Sequence, residues 1–139
     1  MKSLRKYKSL IFFIFITFSI IGVMFMVNPL LRTTNSIQRN LLRITPLGTS
    51  IDDVVIIIVN NANWGLFSVH EDWGVLLLGY RLPTFGSPRD GSTVIGSKSV
   101  IVNLGNHSFF LSFNVRAFFA FDEDGKLIDI LVRRDADLI

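Results

Sequence analysis

The sequence predicts an α+β fold: an N-terminal transmembrane helix, then a domain of two helices and an antiparallel four-stranded sheet. Three observations carry that expectation. No charged residue falls between Ser9 and Leu31. Residues 37–61 show helical spacing and capping signals. Phe109 to Phe121 alternates apolar and wetter positions with a period of two, as a strand with one buried face does.

At roughly 1.5 Å per helical residue, the uncharged run is long enough to cross a hydrocarbon core about 30 Å thick. Only Thr17, Ser19 and Gly22 interrupt its centre, Ile11 to Val27. A cleaved signal peptide is the competing reading, since Lys2, Arg5, Lys6 and Lys8 precede the run. The run is too long for that, and no suitably spaced pair of small residues follows it. A retained signal anchor over residues 1–31 is therefore expected. The cluster of basic residues before the run outweighs the sparser Arg32, Arg39 and Arg43 after it. That bias predicts a single-pass protein of the cell membrane, its N-terminus inside and its C-terminal domain outside the cytoplasm.

Residues 32–36 read as a polar juxtamembrane link, and 37–139 as one extracytoplasmic domain with a single core. Ile37, Leu41 and Ile44 recur at helical spacing, which predicts a short helix begun near Asn35 or Ser36 that stops before Pro46, whose ring disfavours helix in the preceding residue. In the next segment Thr49 or Ser50 can cap a helix, and Asp52 and Asp53 suit its positive N-terminal end. The β-branched run Val54 to Val59 favours a strand instead. The cap decides for a helix ending at Asn60 and Asn61. Strands are then expected at Trp73–Leu82, Thr93–Leu104, Phe109–Phe121 and Leu127–Arg134. The turn-rich loop Pro83–Ser92, a tight connection Gly105–Ser108 and a turn at Asp122–Gly125 join them. In the last strand, Ile128, Ile130 and Val132 are expected on one side and Asp129, Leu131 and Arg133 on the other.

Composition removes several function classes. The net charge of +3 comes from the N-terminus. Beyond residue 31 there are 10 basic against 11 acidic residues, so no basic face for nucleic acid is expected. With no cysteine in the chain, disulfides, thiolate chemistry and cysteine-bound metals are impossible. His70-Glu71-Asp72 are adjacent loop residues, a poor spacing for metal ligands. His107 next to Ser108 lacks the third group and the elbow motif of a nucleophile. Asp122-Glu-Asp-Gly125 lacks the twelve-residue calcium loop and reads as a hairpin turn. Asn106-His-Ser108 fits a glycosylation acceptor. No metal, cofactor or catalytic constellation is expected, and the chain does not read as an enzyme.

Two segments carry a family resemblance. Ile44-Thr-Pro-Leu-Gly-Thr-Ser-Ile-Asp-Asp-Val54, a Pro/Gly turn leading into an acid-started helix, resembles the opening of small outer-membrane lipoproteins of the SmpA/OmlA type. Phe121-Asp-Glu-Asp-Gly-Lys-Leu-Ile128 is similar to that family's closing hairpin. The resemblance implies the fold of the β-lactamase-inhibitory protein, two helices packed on an antiparallel sheet, acting by binding other proteins. Two features depart from it: the absent lipidation cysteine, and the extra leucine of Pro46-Leu47-Gly48.

The candidate binding surface is the less buried face of the last two strands. Phe110, Asn114, Arg116 and Phe118 are expected to share it with Asp129, Leu131 and Arg133. Aromatic residues mixed with arginine are the composition enriched at protein interfaces. Coverage by the chain's own loop Pro83–Ser92 is the competing account. The reading that follows is a membrane-anchored, extracytoplasmic module that binds an envelope protein partner or supports envelope assembly. The alternative is a small-ligand carrier or sensor with a pocket between helix and sheet.

Overall fold

The computed structural model describes residues 11–20, 22–23, 33–78, 82–84, 92–108 and 112–137. The chain divides into two compact units, Met1–Arg32 and Thr33–Ile139. In the first, residues 11–20 form helix α1, with further helical residues at 22–23. Phe12, Phe15 and Phe18 are exposed on it.

Among the described residues, no helix is long and apolar enough to cross a membrane. The expected transmembrane span is thereby corrected. The single-pass anchor, its orientation and the placement at a cell membrane rested on that span and fall with it. Ser9, Leu10, Ile21, residues 24–31 and the basic positions 2–8 lie outside the described residues.

The second unit holds the α+β fold. Helix α2 (Thr34–Ile44) begins one or two residues before the expected start near Asn35 or Ser36, because Thr33 caps it: the hydroxyl accepts from the Ser36 amide at 3.3 Å. Helix α3 (Ile51–Asn60) is capped by Ser50, whose hydroxyl accepts from the Asp53 amide at 3.2 Å and donates to the Asp53 carboxylate at 2.6 Å. The cap prevails over the β-branched run. Val54 and Ile58 are buried, while Ile56 and Val59 point outward.

Seven strands follow: β1 (Phe67–His70), β2 (Val75–Leu78), β3 (Leu82–Thr84), β4 (Thr93–Ile95), β5 (Lys98–Ser108), β6 (Ser112–Phe121) and β7 (Leu127–Asp137). They form two antiparallel sheets, a four-stranded one in the order β1-β5-β6-β7 and a three-stranded one in the order β3-β2-β4. This corrects the expectation of one four-stranded sheet. The segment read as Trp73–Leu82 supplies β2 and the start of β3. The segment read as Thr93–Leu104 breaks at Gly96, whose φ of +72° turns the chain between β4 and β5. Gly105–Ser108, expected as a connection, continues β5.

Register sorts the side chains of the large sheet into two faces. Val100, Val102, Val115, Ala117, Phe119, Phe121, Leu127 and Ile130 are buried on one face. There α2 packs over β7 and α3 over β5. A register shift between Ala120 and Phe121 places Leu127 opposite Phe121 and leaves Ile128 exposed, against the expected inward position of Ile128. On the other face, Phe118 and Ala120 pack with Val75 of β2, flanked by Ile95, Ile101 and Leu131. The large sheet is thus covered by helices on one side and by the small sheet on the other.

Candidate functional site

The small sheet covers only part of its face. The uncovered part exposes an open groove of about 320 Å³ lined by Leu66, Phe67, Ser68, His70, Ile101, Asn103 and Arg116. Its floor comes from β5 and β6, where Asn103 opposes Arg116 and Ile101 opposes Phe118. Its rim comes from β1, where Ser68 opposes Ile101 and His70 opposes Ser99. The His70 ring lies 4.1 Å from that of Trp73, centroid to centroid, and its Nε2 is 3.1 Å from the Ser68 hydroxyl. The Ser99 hydroxyl donates to the Trp73 carbonyl at 2.9 Å, holding that end of the rim against the sheet.

Beyond the groove stands a charged cluster. Register puts Arg116 of β6 directly opposite Arg133 of β7, an unfavourable like-charge pair. Asp135 resolves it by accepting from both guanidinium groups, and Arg133 also donates to the Pro83 carbonyl of β3 at 3.3 Å. Burial acts to raise the Asp135 carboxyl pKa, but hydrogen bonds and charge from Arg116 and Arg133 outweigh it. The net result lies below the ordinary carboxylate value.

The structure brings most of the expected surface together. Phe118 faces Leu131, Arg116 faces Arg133, Asn114 faces Asp135, and Asp129 faces Ala120, all on one side of the sheet. Phe118 is fully buried. The covering layer is Val75 and Ile95 of the small sheet. Asn114, Arg116, Asp129, Leu131 and Arg133 are half-buried, and Phe110 lies outside the described residues. The loop Pro83–Ser92 is described only at positions 83, 84 and 92. His70 ends β1, and Glu71 and Asp72 follow it without forming a ligand cluster; among the described residues no three metal-ligating side chains converge. His107 and Ser108 lie in β5.

Sequence reasoning passed over the outer strand itself. At β1 and the residue before it, Leu66 is 92% exposed, Phe67 39% and Val69 40%, although all three are apolar. The Asn103 amide donates to the Leu66 carbonyl at 3.0 Å, so Leu66 turns its backbone toward β5. By strand alternation Ser68 and His70 do the same, and Phe67 and Val69 turn their N–H and C=O groups to the open side. The short alternation Leu66-Phe-Ser-Val-His70 was the available signal. No known protein family, curated protein or solved structure matches the chain.

Proposed function

We propose that the Thr33–Ile139 unit is a non-catalytic protein-binding module whose contact element is the β1 edge together with the adjoining groove. The carrying observation is that this outer strand presents outward backbone groups at Phe67 and Val69 beside exposed Leu66, Phe67 and Val69. Such an edge takes an added strand: main-chain hydrogen bonds supply attraction, and pockets beside alternate side chains supply selectivity. The groove, with apolar walls and Ser68, His70, Asn103 and Arg116 at its polar points, adjoins the same strand on the opposite side from its open edge. The resemblance to SmpA/OmlA-type domains supports the same class of role.

Photo-crosslinking in cells from a benzoylphenylalanine at position 67 tests this, with position 52 on α3 as control. Adducts specific to position 67, lost in Val69→Pro, are the expected result. Proline there removes an outward N–H and leaves the ladder to β5 in place. Adducts that persist in Val69→Pro, or equal labelling from position 52, overturn the reading. A small apolar ligand is the competing occupant, since the groove reaches the lower range of ligand-site volumes. A rise in the full chain's melting temperature with a small-molecule library, insensitive to Val69→Pro, would favour it.

A further inference from the structure

The geometry points to a second copy of this chain as the partner of the β1 edge, the two copies pairing antiparallel about a two-fold axis through Ser68. This rests on the reading of β1 as a contact edge and adds which occupant it takes.

Symmetry carries the inference. The outward backbone groups belong to Phe67 and Val69, one residue on either side of Ser68. If two copies of β1 meet antiparallel about Ser68, Phe67 of each faces Val69 of the other as a hydrogen-bonded pair. All four outward residues then find both partners at once. Phe67 and Val69 also share the helix side of the sheet, opposite Val102 and Val100, and both are partly exposed. Pairing would set aromatic against β-branched across the axis, a favourable cross-strand combination. Charge permits the same register. Leu66 would face His70, Gly65 would face Glu71 and Trp64 would face Asp72, so no two like charges oppose. The groove-side residues Ser68 and His70 of the two copies would adjoin, joining the two grooves across the axis.

The other strand edges carry covering bonds, charges, a proline or a shorter span, whereas β1 is protected only by its own short length. Gly48 and Thr49 bond to Leu127 at the start of β7, whose further length holds Arg133, Arg134, Asp135 and Asp137. Pro83 interrupts β3, and β4 is three residues long. The four residues of β1 include no proline, lysine, arginine or acidic residue.

Because residue 68 meets its own copy, the test can be specific to self-pairing. Sedimentation velocity of the full chain over a concentration series should show a monomer–dimer equilibrium. Ser68→Lys places two ammonium groups face to face and should leave monomer, as should Ser68→Glu. Mixing the two variants should restore a dimer containing one of each. The chain has no cysteine, so Ser68→Cys creates a single thiol. A non-hydrogen-bonded antiparallel pair sets Cα atoms about 4.5 Å apart, within disulfide reach. Under mild oxidation Ser68→Cys should give linked dimer roughly tenfold or more faster than Asn60→Cys on α3, through the raised effective concentration. Circular dichroism matching the wild type keeps misfolding from imitating these results.

A wild type that stays monomeric throughout overturns the second-copy inference, as does a dimer unaffected by Ser68→Lys and not linked through Ser68→Cys. In either case adducts from position 67 that Val69→Pro removes would leave the binding reading standing with a different partner. Loss of those adducts as well would remove both.

Discussion

Asp135 lies 20% exposed between two arginines that strand register forces together, and its carboxylate is what makes that register tolerable. Asp135→Asn should cost on the order of 1–3 kcal/mol in chemical denaturation, the range for stranding a partly buried charged partner. The pH dependence has a definite sign. A carboxyl whose folded pKa lies below its unfolded value of about 3.9 contributes stability above that pH. The contribution is lost as pH falls through the folded value. Wild type should therefore lose more stability than Asp135→Asn between about pH 4 and the acid limit. Equal acid slopes would contradict the assignment. Gly96 is a second sensitive position. Its φ is +72°, and a Cβ there would collide with the Phe121 backbone carbonyl. Gly96→Ala should lower stability by about 2 kcal/mol or more, measured by urea unfolding.

Among the elements, legibility in the sequence followed length and local chemistry. Helix α3 was readable against its own β-branched run because Ser50, Asp52 and Asp53 mark its start, and the Ser50 cap is present in the structure. Ser50→Ala should cost about 1 kcal/mol and lower the melting temperature without altering the β content. Strand β6 was readable because polar and apolar residues alternate from Ser112 to Ala117, although Phe118 to Phe121 are all apolar and all buried. The strand β1 was not, since four residues between loops give too little pattern to separate from coil. The inward placement of Ile128 failed for a different reason. A one-residue register shift reverses every face assignment before it, and nothing local to Asp122–Gly125 announces it. The candidate face on β6 and β7 was legible as a set of neighbours. Its cover was not, because Val75 and Ile95 reach it from elements distant in sequence.

On the scale of the molecule, the buried core among the described residues, from Ile37 to Ile130, belongs to the second unit. The fragment Thr33–Ile139 should accordingly unfold in one cooperative transition, with a midpoint within about 2 °C of that seen for this unit in the full chain. A broad, non-cooperative melt of the fragment would show that residues 1–32 complete its fold. The overall reading of a membrane span depended on a composition pattern spread over Ser9 to Leu31. Helix is described at residues 11–20 and 22–23 of it, and no described helix is long and apolar enough to cross a membrane.

The order of strands in the large sheet also has a consequence in time. Strands β5, β6 and β7 are consecutive hairpins, whereas β1 reaches β5 only after β2, β3 and β4 have intervened in the sequence. The local hairpins can close early at small entropic cost, and the long-range docking of β1 must follow them. The same strand that presents the open edge therefore docks on the large sheet after its hairpins have formed. Its inward amides at Ser68 and His70 should exchange with solvent deuterium well before those of Ala117 and Phe119 in the centre of the sheet.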